Sequence, residues 1–137
     1  MVKELIHDPI FLAQKSEPAD LGDRDTGRDL LDTLTYHRET CVGMAANMIG
    51  VCKRIICFDC DGALLILYNP EILKFWDSYD TEESCLSYLG GPRKCRRWRR
   101  IKVRYETADG KVRFRTFAGF TAQIIQHEID HCNGVLI

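Results

Sequence analysis

The spacing of hydrophobic positions changes several times along the chain, and each change marks an expected element. Three leucines recur at helical spacing within residues 26–39, which predicts an amphipathic helix there. Before it, residues 1–25 carry Pro9, Pro18 and Gly22, which favour mostly irregular structure. We therefore expect this helix to be the first long element.

Two pairs of segments have the pattern of β-hairpins. Residues 54–58 and 63–68 are rich in branched and aromatic side chains and are separated by a short polar turn with a glycine. Apolar and polar residues then alternate over 101–105 and again over 112–114, with Asp109-Gly110 between them. Both patterns predict antiparallel strand pairs.

The last apolar pattern is helical again. It extends from Phe120 to about Cys132, and Gly134 follows as a C-terminal stop. Strands followed by a final helix are typical of an α+β fold, here with antiparallel or mixed β-sheets around the C-terminal helix. The chain has 137 residues, of which 45% are hydrophobic and 28% are charged, so we expect one domain over residues 1–137.

Charge and cysteine content narrow the classes of function. Nineteen basic and twenty acidic residues give a net charge of -1, which argues against DNA as a partner of the whole molecule. The longest apolar stretch, residues 63–68, is too short to cross a membrane, and no signal peptide is visible. Seven cysteines, an odd number, fit reduced thiols. We therefore expect a cytoplasmic protein without membrane contact.

The most informative residues are His127-Glu128-Ile129-Asp130-His131, an H-E-x-x-H motif in the predicted final helix. Positions four apart share a helix face, so both imidazoles can bind one metal ion. Glu128 lies beside the first ligand and can move protons to and from a water at the metal. The alternative is a pair of histidines satisfied by ordinary hydrogen bonds, which leaves the ligand spacing unexplained.

A catalytic site of this kind needs a third protein ligand. Residues 132–137 contain no His, Glu or Asp, so we expect that ligand upstream of the motif, unlike in the standard proteases with H-E-x-x-H. Spacing alone leaves several candidates: Cys41, Cys57, Cys60, Cys85, His7, His37 and several carboxylates.

Three motifs, in order, resemble the peptide deformylase family. Residues 41–48, Cys-Val-Gly-Met-Ala-Ala-Asn-Met, are similar to the family's G-x-G-Φ-A-A-x-Q, and residues 83–87, Glu-Ser-Cys-Leu-Ser, are similar to E-G-C-L-S. Residues 126–131, Gln-His-Glu-Ile-Asp-His, match Q-H-E-x-D-H. The order and spacing of the motifs fit the family from about Leu5 to residue 137.

This resemblance implies a function. Cys85, His127 and His131 would bind one divalent metal ion, in practice Fe(II), with zinc or nickel as substitutes. The enzyme would remove the formyl group from N-formylmethionyl peptides of nascent proteins. Glu128 would take the proton of the attacking water and deliver it to the departing amine. The backbone N–H of Leu86 would stabilise the oxyanion.

The chain departs from the family pattern at three positions. Met48 stands where the family has the glutamine that donates to the oxyanion, and a thioether cannot donate a hydrogen bond. Loss of one such donor typically lowers kcat by about 10²–10³. Cys41 and Ser84 replace glycines. The alternative to an active enzyme is therefore an impaired paralogue that binds formyl-peptides or ribosomes.

Helix geometry suggests the substrate pocket. Phe120 and Ile124 share a helix face with the two histidines, so they can form an apolar wall beside the metal. By family position, Val42 and Gly43 would pair with the peptide backbone and help to cover the methionine side chain. The alternative is that Phe120 and Ile124 belong only to the core.

Two other signals have alternative interpretations. The basic segment Arg93–Arg100, interpreted as a loop, is typical of an RNA or ribosome contact, but it also fits a solvated surface loop. Cys57 and Cys60 form a C-x-x-C at the end of a predicted hairpin rather than at a helix start. We therefore expect buried or turn cysteines there, not a redox pair.

Overall fold

Three helices and five strands follow one another in residues 1–87 and 90–137, the part of the chain that the computed structural model describes. Short 3-10 turns at Leu21–Asp23 and Ala46–Ile49 connect some of them. The helices and strands, in chain order, are α1 Pro9–Leu12, α2 Arg24–Tyr36, β1 Gly43–Ala45, β2 Ile55–Cys60, β3 Ala63–Glu83, β4 Arg93–Glu106, β5 Val112–Ala118 and α3 Gly119–Cys132.

The five strands form one sheet in the order β1-β2-β3-β4-β5, and every neighbouring pair is antiparallel. Strand and chain order coincide because each connection is a hairpin or a loop between neighbours. The expected α+β fold is confirmed, with the C-terminal helix packed on an antiparallel sheet.

The two faces of the sheet carry two cores, which follow from the alternation along β2. On one face, here called the α3 face, Ile56 and Phe58 pack with Ile125 of α3. On the other, the α2 face, Ile55 and Cys57 pack with leucines of α2. Each helix covers an apolar side of the same sheet, so α3 is held rigidly against the strands.

Helix α2 approaches the sheet at a glycine. A Cβ atom at Gly27 would lie only 2.0 Å from the hydroxyl oxygen of Tyr68, so the helix backbone needs a residue without a side chain there. The Arg24 guanidinium stacks on the same ring, with its carbon 3.9 Å from the ring centre. α2 begins at Arg24 and ends at Tyr36, so it lies two to three residues earlier than the predicted helix over 26–39.

The interpretation of Arg93–Arg100 as a loop was wrong, because these residues form the first half of β4. They pair with β3, which continues to Glu83, far beyond the predicted strand. Opposite charges face each other across the two strands, as with Asp80 and Arg96, which stabilises strands made of polar residues. The apolar alternation used for prediction is absent there.

No helix in the described parts of the chain is both long enough and apolar enough to cross a membrane.

Candidate metal centre

Helix α3 places His127 and His131 one turn apart on the same side. Their ring centres are 4.8 Å apart, and the two Nε2 atoms face each other at 3.1 Å. Two imidazole nitrogens on one tetrahedral metal ion, with bonds of about 2.0–2.1 Å, lie about 3.3 Å apart. The helix thus presents both nitrogens at ligand spacing.

The third group of this cluster comes from the segment that follows β3. Cys85 brings its Sγ atom to the two histidines, and the three ligand atoms all lie within 4.8 Å of one another. Both imidazoles are buried, and the thiol is half-buried. One thiolate and two imidazoles are a donor set that zinc and other late transition metals accept. The residues present therefore fit a metal ion.

The carboxylate of Glu83 fixes the orientation of one ligand. His127 Nδ1 lies 2.8 Å from a Glu83 oxygen, so this nitrogen donates its proton and leaves Nε2 free for a metal. Glu83 also accepts two hydrogen bonds from Arg97, at 2.7 and 2.9 Å. A further bond, at 2.9 Å, comes from Gln123. These donors hold the pKa of Glu83 well below its usual range, although burial opposes the shift.

Arg97 connects Glu83 with Asp130 of α3. It is 4% exposed, and its remaining nitrogen donates to Asp130 at 2.7 Å. A guanidinium so deeply buried needs both carboxylates to compensate for its lost hydration. Glu83, Arg97 and Gln123 were not predicted to take part in the metal site. Only the position of Glu83 in the second motif was a signal, since Arg97 reaches it from another strand.

Glu128 is 3% exposed and sits between the cluster and β1. Burial raises its pKa to about 7, although the neighbouring His127 acts in the opposite direction. One of its oxygens, Oε1, has no hydrogen-bond partner among the described residues. A carboxyl group with these properties can both accept and release a proton near neutral pH.

The two imidazoles have opposite proton affinities. Burial lowers the pKa of both, and for His131 the neighbouring His127 lowers it further, to about 3. For His127 the negative charge of Glu128 and the hydrogen bonds with Cys85 and Glu83 outweigh burial and raise the pKa to about 10. His127 therefore has the higher proton affinity of the two, and metal binding would compete with protonation there because a ligand imidazole must be neutral.

A cavity of about 370 Å³ opens beside this cluster. Three predicted substrate contacts, Val42, Gly43 and Ile124, line it, and so does Leu86. Phe120 also lines it and is 64% exposed, so the alternative that it belongs to the core is wrong. Ile124 both lines the cavity and packs in the α3 core.

Met48 is placed differently from the other predicted substrate contacts. It is fully buried and is not among the residues that line the cavity. Its sulfur accepts a hydrogen bond from the Ala45 N–H at 3.4 Å, and the core cluster to which it belongs packs against Cys85 and Leu86. Met48 therefore supports the floor of the site and offers no donor to a substrate.

The other cysteines have different surroundings. Cys41 lines the cavity and donates its S–H to the Gly43 carbonyl at 3.0 Å, and burial raises its pKa to about 12. Cys57 is buried and free, as expected, and burial raises its pKa to about 12 as well. Both are therefore protonated thiols at neutral pH. Ser84 also lines the cavity.

Comparisons with known proteins agree with this arrangement. The family profile described as Polypeptide deformylase matches residues 4–137. A peptide deformylase of Clostridium beijerinckii is 48% identical over 137 residues and is covered completely, as is this chain. One from Dictyoglomus thermophilum is 33% identical over 141 residues, covering 100% of this chain and 91% of the relative.

Solved structures give the same result. The crystal structure of peptide deformylase from Thermotoga maritima has a TM-score of 0.88 and 30% sequence identity, covering 99% of this chain and 95% of that one. A class I type b peptide deformylase from Acinetobacter baumannii, crystallised with Met-Ala-Ser bound, has a TM-score of 0.88 at 27% identity. That match covers 99% of this chain and 97% of the other.

Proposed function

Since the chain belongs to the polypeptide deformylase family and is a formyl-removing metallohydrolase, we propose which of its residues carry the reaction on N-formylmethionyl peptides of nascent proteins. The observation on which this proposal rests is the cluster of Cys85, His127 and His131 at the wall of a cavity. The cluster lies where α3 and the segment after β3 meet.

These three residues hold the metal ion in the proposal. We propose Fe(II) as the native ion, with zinc or nickel as functional substitutes. When bound, the ion supplies Lewis-acid chemistry that makes water a nucleophile near neutral pH. Glu83 keeps the His127 ring in the orientation that binding needs.

Glu128 is the proposed acid and base. It lines the cavity from α3 and has one oxygen without a partner among the described residues. Because its pKa lies close to neutrality, the carboxylate can take a proton from the attacking water and return it to the departing amine. The surroundings of Glu128 contain no competing donor at Oε1 within the described part of the chain.

The peptide lies against β1 in this proposal. β1 lies at one edge of the sheet. Among the described residues it pairs with β2 on one side, as between Gly43 and Phe58, and with no strand on the other. An extended peptide can therefore pair with the backbone of Val42 and Gly43. Phe120 and Ile124 form the apolar wall for the methionine side chain, and the Leu86 N–H is the oxyanion donor.

The alternative function is a catalytically impaired relative that binds formyl-peptides or ribosomes. It is favoured by one observation, the fully buried Met48 in place of a hydrogen-bond donor. Formate release from a formyl-Met peptide under anaerobic conditions with Fe(II) separates the two functions. Turnover that is lost in Glu128→Gln supports the enzyme, whereas an inactive protein that still binds the peptide supports the alternative.

Two variants test the assignments within that assay. Cys85→Ser should lose most of its bound metal, and unchanged metal content would contradict the ligand assignment. A rise in kcat of tenfold or more in Met48→Gln would identify the missing donor as the limiting defect, because one oxyanion donor is typically worth about 10²–10³ in kcat. Met48→Leu, which adds no donor, is the matched control.

We also propose that the protein works in the cytoplasm and contacts the ribosome. Formylmethionyl chains are made at the ribosome, and an enzyme acting on them during synthesis works in the cytoplasm. The segment Arg93–Arg100 was the expected ribosome contact, but Arg97 is buried in the Glu83 network and Arg96 pairs with Asp80. Among the first residues of β4, Arg99 and Arg100 form no ion pair within the described residues.

A further inference from the structure

The α2 face of the sheet is covered over only part of its width. α2 packs on β1, β2 and the beginning of β3, where Tyr68 is the last large buried side chain of its core. Tyr68 pairs with Glu106 of β4, so the same face continues along β4 at every second residue. That continuation bears cations instead of apolar side chains.

Six residues make up this surface, here called the open basic face. They come from β3, β4 and β5 and lie opposite one another in the sheet register: Lys74, Trp76, Arg100, Lys102, Arg104 and Phe114. Between them on β4, Ile101 and Val103 point the other way into the α3 core, which confirms the orientation of their neighbours. Arg100, Lys102 and Arg104 thus form a row about 13 Å long.

The cations of this face lack acidic partners. None of Lys74, Arg100, Lys102 and Arg104 forms an ion pair with another described residue, and Lys74 lies directly opposite Lys102. Like charges at such positions destabilise a sheet. Two acids border the face, Glu71 opposite Arg104 and Glu106, which accepts a hydrogen bond from Asn69. A net positive surface therefore remains.

Strands β4 and β5, which supply four of the six residues of the open basic face, hold much of the molecule's positive charge. Residues 93–118 contain eleven of the nineteen Lys and Arg residues and only two acidic ones, although the chain as a whole has a net charge of -1. On the α3 face Arg97 is neutralised by Glu83 and Asp130. Within the described residues, none of the four cations of the open basic face is neutralised by an ion pair in this way, which is typical of a surface that binds a polyanion.

Aromatic rings lie between the cations. The Arg100 guanidinium carbon is 4.6 Å from the centre of the Trp76 ring, and Lys102 Nζ is 6.0 Å from that of Phe114. Phe114 is 59% exposed. A flat strand surface with exposed rings and arginine planes offers stacking positions for unpaired bases, beside cations for the phosphates.

We propose that the open basic face binds single-stranded RNA. The charges would contact phosphates, and Phe114 and the Trp76–Arg100 pair would stack with bases. The choice of RNA rests in part on the proposed function, because an enzyme acting on nascent chains works beside ribosomal RNA. A membrane fits less well, since the face has only one strongly exposed apolar side chain, Phe114, among these six residues.

The test measures fluorescence anisotropy of a labelled 12-nucleotide oligouridylate with the metal-loaded protein. The variant Arg100→Gln/Lys102→Gln/Arg104→Gln should bind at least tenfold more weakly than the natural protein. The slope of log affinity against log salt should fall by about 2, since each phosphate contact contributes about 0.7 for single strands. Phe114→Ser should weaken binding with little change in that slope.

The matched control removes three charges from the same strands but from the opposite face. Arg99 stacks on Tyr79, which bonds to Gln123 of α3, and Arg115 stacks on Phe117 of the α3 core. Arg113 is next to Phe114 in β5, so its side chain points to the opposite face from Phe114, the same face as Arg99 and Arg115. Arg99→Gln/Arg113→Gln/Arg115→Gln should therefore bind RNA within about threefold of the natural protein.

Several outcomes would overturn the proposal. These are absence of binding by the natural protein at 50 mM salt, equal losses in both triple variants, and equal affinity for oligothymidylate or for anionic lipid vesicles. Formate release should be unchanged in both triple variants, and Cys85→Ser should bind RNA normally. A failure of RNA binding is thus distinguishable from a failure of the proposed catalytic function.

Discussion

At the scale of single residues, Gly43 shows how closely β1 and the carboxylate of Glu128 approach each other. A Cβ atom at this position would lie 2.6 Å from the Ile124 Cγ2 and 2.8 Å from the Glu128 Oε2. Both are shorter than real contacts of a Cβ atom, so a side chain here would displace Glu128, Ile124 or the strand itself.

Gly43→Ala should therefore lower kcat at least tenfold without loss of the metal. The methyl group would move Glu128 by a fraction of an ångström to 1 Å, and misplacement of a catalytic group by about 1 Å can cost about 10²-fold in rate. Formate-release kinetics and metal analysis of the purified protein measure the two effects. Val42→Ala, which removes atoms beside the same strand, should change KM more than kcat, and an unaltered kcat in Gly43→Ala would contradict the crowding.

Glu83 acts on the proposed metal site through the ring of His127. It connects the ligand His127 with the guanidinium of Arg97, and both Glu83 and Arg97 are nearly inaccessible to solvent. Removing one partner of a buried ion pair leaves the other charge without compensation. The same change also loosens the histidine that the carboxylate orients.

Glu83→Gln should lower metal affinity about 10–100-fold and the free energy of unfolding by about 3–5 kcal/mol. Chelator competition gives the first quantity and urea unfolding the second. Asp80→Asn is the matched control, because Asp80 pairs with Arg96 on the same two strands but in solvent, where a pair contributes at most about 1 kcal/mol. Equal effects of the two substitutions would contradict a special role of Glu83.

At the scale of elements, the contact of α2 with the sheet depends on Gly27. The glycine lies beneath the Tyr68 ring, and Tyr68 is 2% exposed. A glycine inside a helix costs about 1 kcal/mol relative to alanine, so helix propensity alone would favour replacement. The close approach to the tyrosine has the opposite effect.

Gly27→Ala should destabilise the protein by about 1–3 kcal/mol, because the added methyl group forces α2 or Tyr68 out of its packed position. Urea unfolding followed by circular dichroism measures this change. In Gly27→Ala/Tyr68→Phe, the nearest clashing atom is gone and part of the stability should return. A stabilised Gly27→Ala variant would show that propensity outweighs packing here.

The elements differ in how well their sequences predict them. α3 follows apolar periodicity and agrees with its prediction within a few residues, and the predicted strands 101–105 and 112–114 lie within β4 and β5. The distal halves of β3 and β4 could not be predicted this way. Their pairing depends on cross-strand charges and on Gln123 and Gln126 of α3, and such distant partners leave no local pattern.

The residues of the candidate site also differ in how well the sequence predicts them. Local spacing predicts that His127 and His131 face one ion, since both lie on one helix. Cys85 could be chosen only through the family resemblance, because it reaches α3 from a distant segment. The geometry brings these three together, whereas Met48 lies beneath the cavity floor instead of lining it. The spacing of residues along the chain does not indicate how deeply a side chain such as that of Met48 is buried.

At the scale of the whole molecule, the metal cluster joins the segment after β3 to α3, two parts that the hydrogen bonds of Glu83 also connect. The Cys85 segment follows a long strand, and α3 is the last element in the chain. The two imidazole nitrogens face each other at 3.1 Å, and the carboxylates of Glu128 and Glu83 lie beside them. Cys85, His127 and His131 would hold a cation together, so its binding would connect the two parts of the chain.

Metal removal should therefore lower the stability of the entire domain. For free metal at a thousand times the Kd, binding contributes about 4 kcal/mol to unfolding, which for a chain of this size corresponds to a fall in Tm of roughly 10 °C or more on chelation. Differential scanning calorimetry with and without a chelator measures the shift. Cys85→Ser should already melt near the chelated temperature and respond little to the chelator. A natural protein whose Tm is insensitive to chelation, despite a confirmed loss of the ion, would show that the cluster contributes nothing to holding α3 on the sheet.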